Sequence, residues 1–160
     1  MVNSWRYCTF YLENYFFGIE LLDVQEVLQQ LELTAIPLAP HAVRGLMNLR
    51  GQIVMAVDLR RQLGLPERPA NRPAMNVIVR SGEDVVGLIV DKIGDVVEAT
   101  DDSFEPPPET VRGAVRPAIS GVHKLEKQLM HVLDTERVCT VAEPPDPAVA
   151  EHCQELRWKT

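Results

Sequence analysis

Much is missing from this chain. No uninterrupted apolar stretch approaches the roughly 18 residues that a membrane helix needs. The start, MVNSWRYCTFYL, has no basic segment followed by an apolar one, so a cytosolic chain is expected. The three cysteines, Cys8, Cys139 and Cys153, lie far apart with no C-x-x-C pair; reduced thiols are expected, with neither a disulfide framework nor a zinc site. There is no G-x-x-x-x-G-K-[ST], no G-x-G-x-x-G and no H-E-x-x-H, so the usual phosphate, dinucleotide and zinc-hydrolase signatures are absent. Neither a metal nor a cofactor is expected.

Basic charge is also scarce. The net charge is −7, divided as −1 over residues 1–65 (five basic, six acidic) and −6 over residues 66–160 (eleven basic, seventeen acidic). With aromatics at 6% and clustered in residues 5–17, a basic groove with stacking platforms for nucleic acid is not indicated. One modest basic excess remains, Arg44, Arg50, Arg60 and Arg61 against Asp58. It suits an acidic protein surface better than a polyphosphate.

Catalytic groupings are sparse as well. His41, His123, His131 and His152 have no local nucleophile to serve, and each reads as a surface or half-buried polar position. Glu83-Asp84 and Asp101-Asp102 are adjacent pairs; neighbours on a strand point to opposite faces, so they read as solvated turn residues. The enzyme reading that survives is a small β-barrel using carboxylates such as Asp91 or Asp95.

What is present is strand signal. WRYCTFYL alternates two sets of residues, and Glu13-Asn14 turns it into YFFGIEL as a hairpin. A β-branched, apolar stretch runs over 24–33, and HAVRGLMN reads as a short helix or turn. The strand over 52–57 ends at Asp58, an N-cap for LRRQLG, with Gly64 as the left-handed exit. Residues 65–74, with three prolines, read as a surface connector. MNVIVR, EDVVGLIVD and IGDVVEA follow as three strands. TDDSFEPPPETVRGAVRP reads as irregular, and AISGVHKL with QLMHVLD reads as a further strand pair. Asp134 caps TERV. In the tail, Asp146-Pro147 opens a helix whose Val149, Cys153 and Leu156 form a narrow docking stripe.

One internal similarity stands out. GIELLDVQEV (18–27) and GLIVDKIGDV (87–96) agree in character at Gly18/Gly87, Ile19/Leu88, Leu21/Val90, Val24/Ile93, Glu26/Asp95 and Val27/Val96. This placement points to two related β units, and many short strands with few helices point to small barrels.

With VRGLMNLRGQIVMAVDLRRQLGL between FGIELLDVQEV and VVGLIVDKIGDVVE, and ISGVHKLEKQLMHVLD after them, the chain resembles the CheW family of chemotaxis coupling proteins over residues 5–140. The resemblance implies a mainly β fold of two SH3-like five-stranded β-barrel subdomains packed around a shared hydrophobic core, with short helices and a C-terminal helix. It places the first barrel near 15–65 and the second near 75–135, with the N-terminal strand a candidate member of the second and 141–160 as a tail. It implies a non-enzymatic adaptor without cofactor or metal. Its partners would be the regulatory domain of a CheA-type histidine kinase and the cytoplasmic tip of methyl-accepting chemoreceptors. These assemble into arrays, with CheW-like ring contacts, beneath the membrane and without direct insertion into it. A non-flagellar pathway, such as pilus motility or second-messenger control, and a kinase-binding decoy are the alternatives.

Arg50 and Glu26 match positions the family associates with receptor binding, and Val24 and Val96 fall on neighbouring motif positions as apolar contacts. An intramolecular Arg50–Glu26 ion pair is the competing reading, and both valines read as core residues from their strand setting. The resemblance assigns no kinase-facing residue here: FEPPPETVRGAVRP is rich in proline and lacks a clear aromatic where some relatives present one to the kinase.

Overall fold

The computed structural model describes residues 3–140; the expected tail helix and its stripe lie outside them. Twelve strands form two sheets. β1 (Ser4–Leu12) and β2 (Tyr15–Glu20) make the expected hairpin, with Glu13 in a left-handed turn conformation. The chain then leaves that sheet through a 3-10 turn at Leu21–Asp23 and builds the other: β3 (Val24–Gln29), β4 (Val43–Leu49), β5 (Gln52–Asp58), α1 (Leu59–Gln62), β6 (Met75–Ser81) and β7 (Asp84–Val90). At Asp91 it crosses back into β8 (Lys92–Ile93), β9 (Val97–Thr100), β10 (Phe104–Glu105), β11 (Ile119–Lys124), β12 (Leu129–Leu133) and α2 (Thr135–Cys139). One sheet has seven strands, β10-β11-β12-β2-β1-β8 with β9 also on β1; the other has five, β3-β6-β7-β5-β4.

The two-subdomain β fold is as expected, but the division of strands is not. The boundaries 15–65 and 75–135 would separate β6 and β7 from β5, whereas β7 pairs parallel with β5 and β6 pairs with β3. Both strands of the N-terminal hairpin belong with the C-terminal strands, β2 pairing parallel with β12. Parallel neighbours need a long crossover, so a division into contiguous windows fails. HAVRGLMN, expected as helix or turn, is largely strand β4, because its apolar residues pair with β5 and pack on both faces. The proline-rich stretch after Thr100 carries more regular structure than expected: 3-10 turns at Asp101–Ser103 and Gly113–Ala118, and strand β10.

The repeat seen in the sequence is carried by the fold. Gly18 and Gly87 lie in β2 and β7, each at a parallel pairing, opposite Val132 and Ala56. Each window then leaves its sheet for the other one. The hairpins β4–β5 and β11–β12 share a register shift at Gly45 and Gly121. Each ends in an aspartate cap: Asp58 accepts from the Arg60 N–H and Asp134 from the Arg137 N–H. The amide of Asp58 donates to Ala42 (2.8 Å) and that of Asp134 to Ala118 (2.9 Å).

Between the sheets lies a shared core in which Phe10, Leu12, Phe17 and Ile19 meet Val57, Leu63, Val77, Leu88 and Val90. Each sheet also wraps its own interior, Met47, Val54, Ile78 and Ile89 in one and Tyr7, Phe16, Met130 and Val132 in the other. β1 serves both layers: Phe10 and Leu12 face the shared core and Tyr7 the interior, so its run is buried on both faces rather than alternating. The five-stranded sheet closes through Thr34, which exchanges two 2.8 Å backbone hydrogen bonds with Leu46 of the far edge strand.

Candidate functional site

Arg50 and Gly51 form the two-residue turn between β4 and β5, with φ of 51° and 86°. Left-handed φ at both positions matches the right-handed twist of a tight hairpin, and glycine at the second makes it accessible. Asn48 Oδ1 accepts the Gly51 N–H at 2.8 Å and steadies the turn. The arginine at the tip is thereby thrown clear of the apolar strand that follows it, and its side chain is 68% exposed.

Glu26 lies on edge strand β3, at the opposite end of the five-stranded order. The strand alternates half-buried Val24, Glu26 and Leu28 with exposed Gln25, Val27 and Gln29, and its register shifts between Val24 and Glu26. Arg50 Nη2 donates to Glu26 Oε2. This hydrogen bond and the glutamate's charge raise the Arg50 pKa further, so the group is a fixed cation. Glu26 Oε1 is buried and has no partner among the described residues. The sequence-expected pair is therefore brought together, in the form of the competing ion-pair reading, with most of the arginine side chain still open to solvent.

The valines divide. Val24 is half-buried against the shared core. Val96, expected in the core, is 57% exposed between β8 and β9, because the expected single strand IGDVVEA breaks at residues 94–96. Sequence reasoning missed Leu22, 95% exposed immediately before β3. It lies in the 3-10 turn Leu21–Asp23, and the signal that could have found it is Asp23 beside it, which interrupts the apolar sequence.

The basic patch expected from Arg44, Arg50, Arg60 and Arg61 is corrected. Arg60 is 3% exposed and gives Nε to Asp91 Oδ1 (3.0 Å); Arg44 pairs with Asp58 (3.3 Å) and Arg61 with Glu67 (2.8 Å). A helix as short as α1, packed on the shared core through Leu59 and Leu63, turns Arg60 inward. The connector 65–74 is similarly tied down: Arg68 Nε donates to Asp91 Oδ1 (2.7 Å), and Arg60 Nη1 donates to the Pro66 carbonyl (3.1 Å).

Asp91, one of the carboxylates kept for an enzyme, is fully engaged. Burial alone would raise its carboxyl, but hydrogen bonds from Arg60, the Glu13 N–H and Arg68 outweigh burial and hold it below the usual range. It is no proton donor near neutrality. Asp95, the other, is exposed on the 94–96 connection.

The CheW-like domain family matches residues 6–143, nearly the whole described chain. The chain belongs to the CheW-like domain family. It is 28% identical to Chemotaxis protein CheW of Klebsiella aerogenes over 86% of this chain and 83% of that one. It is 30% identical to Probable chemotaxis protein CheW of Rhizobium etli (79% and 82%) and 29% identical to Protein PilI of Pseudomonas aeruginosa (79% and 71%). The solved scaffolding protein TtCheW from Thermoanaerobacter tengcongensis superposes with a TM-score of 0.79 at 27% identity, covering 87% of this chain and 94% of that one. CheW-like proteins are non-enzymatic scaffolds, in keeping with a site made of an exposed ion pair and apolar edge residues. Among the described residues no helix is long and apolar enough to cross a membrane.

Proposed function

We propose that this chain is a coupling scaffold that joins chemoreceptor signalling tips to the regulatory domain of a CheA-type histidine kinase. The match to the CheW-like domain over residues 6–143 is the observation that carries the reading. It works in the cytoplasm, held at membrane receptor arrays by its partners, and performs no chemistry of its own. Signal passes as altered contact across two protein interfaces, biasing the kinase equilibrium.

Glu26, Arg50, Val24 and Val96 are the proposed receptor-facing residues. A helical hairpin tip laid on an apolar edge needs flanking charge to fix its register. Arg50 supplies it from a rigid turn, and Glu26 holds the guanidinium in place. The exposure of Val96 supports a contact role over the core role expected from its sequence. Ring contacts with other CheW-like domains belong to the same reading. The likeness to Protein PilI favours a second reading, a pilus-motility pathway with the same architecture and different output.

The test is capture of purified protein by an immobilised kinase regulatory domain and, separately, by receptor signalling tips. Binding to both supports coupling; binding to neither sinks it. Kinase stimulation by receptors of flagellar and of pilus systems, each reconstituted with this chain, separates the two outputs.

A further inference from the structure

The two crossovers between the sheets are related by the internal repeat, yet they are held in opposite ways. At the second crossover, Asp91 gathers three separate pieces of chain. Its carboxylate accepts the Glu13 N–H from the β1–β2 turn (2.8 Å), Arg60 from α1 (3.0 and 3.1 Å from Nε) and Arg68 from the connector (2.7 Å). Arg68 also reaches Asp58 (3.5 Å), which is 1% exposed. Opposite charges alternate here, buried and mutually satisfied apart from one nitrogen of Arg68. A pairing of this kind is costly to break one partner at a time.

At the first crossover the corresponding helix is α2, and it meets Asp23 through a single hydrogen bond from Thr135 Oγ1 (2.7 Å). Here charges of one sign face each other. Glu20, Asp23, Asp134 and Glu136 line one cleft of about 800 Å³ between the sheets, together with the β6–β7 turn. Arg80, the basic residue on that cleft, gives its Nε to Gln25. The repeat places Glu136 where Arg60 stands, two residues beyond the capping aspartate.

We propose that the two sheets hinge about Asp91: the Arg60–Asp91–Arg68 cluster is a fixed pivot, and the cleft lined by Glu20, Asp23 and Asp134 is the side that opens and closes. The receptor-facing edge of Glu26 and Arg50 lies on one sheet, so the hinge changes its attitude to the other sheet. That last consequence rests on the proposed function; the hinge itself does not. Crowding of carboxylates favours the open arrangement, while Thr135, the Gln62 Nε2 hydrogen bonds to the Val138 and Thr140 carbonyls (3.3 and 3.1 Å) and the shared core limit its range.

The experiment is solution NMR on the full chain without partners, using residual dipolar couplings from amides of each sheet. One rigid body gives a single alignment tensor; hinging gives the two sheets tensors of different magnitude. In the wild type the two magnitudes differ. Asp91→Asn widens the difference by removing the charge that both arginines use, and Asp23→Asn, which keeps an acceptor for Thr135, narrows it. Arg68→Gln weakens the pivot while leaving the Arg60–Asp91 pair, and it serves in place of Asp91→Asn if that variant does not fold. A common tensor in the wild type overturns the hinge, as does a pivot variant that leaves the difference unchanged or an Asp23→Asn variant that widens it. Partner capture plays no part in the readout, so the hinge and the coupling reading fail separately.

Discussion

Arg50 reaches from the β4–β5 turn to Glu26 on β3, joining two strands that stand at opposite ends of the five-stranded order. An exposed pair of this kind adds little to stability, because water and salt screen it, so its location bears on recognition more than on folding. Arg50→Glu is expected to melt within a few degrees of the wild type, to keep kinase-domain binding and to lose receptor-tip binding. The charge swap Glu26→Arg with Arg50→Glu restores the internal pair. Receptor titrations of the swap decide the arginine's role: if binding stays lost, the guanidinium touches the receptor, and if it returns, the pair serves the barrel.

Closure of that barrel is the subject of the second prediction. Gly45 has a φ of 147° and packs so tightly that a Cβ would collide with the Thr34 carbonyl oxygen, the acceptor in the bridge to Leu46. Neither the dihedral nor the space suits alanine. Gly45→Ala is expected to cost about 3 kcal/mol, combining backbone strain with overpacking. Urea denaturation reads it as a lower midpoint; an unchanged midpoint would mean that the Thr34 bridge is dispensable for closure.

Most strands and the turn chemistry were legible in the residues, β4 and β10 excepted, whereas the assignment of strands to sheets was not. Asp58, Gly64 and Asp134 act locally, through a cap or a left-handed exit, and each sits where its type requires. Gly18 and Gly87 also carried a usable signal, since the windows they open both start at a parallel pairing and then cross to the other sheet. Sheet membership depends on parallel pairings such as β2 with β12, whose partners are more than a hundred residues apart, and no local periodicity encodes them. At the site, residue types placed Glu26 and Arg50 together. The burial of Arg60 and the exposure of Val96 depend on how a four-residue helix and a broken strand pack, which composition does not reveal.

Thiol reactivity gives a third prediction. Cys139 is pushed up to about 12, first by burial and then by the charges of Asp23 and Asp84, and burial also raises Cys8. Cys139 at pH 8 therefore holds only about one part in ten thousand as the reactive thiolate. A Cys153→Ser variant, which removes the thiol outside the described residues, is expected to resist an aromatic disulfide reagent when native and to release two equivalents of chromophore in urea. Fast stoichiometric labelling of the native variant would mean that the α2 end opens readily at Cys139.

Acid sensitivity above the carboxylate range is expected to come from His123, which is 1% exposed. Ser103 Oγ donates to the Thr100 carbonyl (3.0 Å), so at 2.8 Å from His123 Nδ1 it accepts the ring N–H. Nε2 then accepts from the Tyr7 hydroxyl at 3.0 Å, a phenol itself raised to about 12 by burial and by Glu20 and Asp101. This arrangement needs a neutral ring, and burial lowers the His123 pKa despite the opposing pull of Asp101. Between the lowered native pKa and the ordinary value near 6.5, the unfolded chain binds more protons than the native one, so stability falls as pH falls through that window, by at most about 1.4 kcal/mol per pH unit. Glu20 acts with the opposite sign. Burial, Asp23 and Asp134 raise its carboxyl above 4.5, so the native state takes up that proton first and gains stability in acid. The difference between wild type and His123→Gln isolates the histidine: urea midpoints at pH 7.5, 6.5, 5.5 and 5.0 should fall more steeply for the wild type. Parallel curves would mean that the ring accepts its second proton without disturbing the Tyr7 and Ser103 hydrogen bonds.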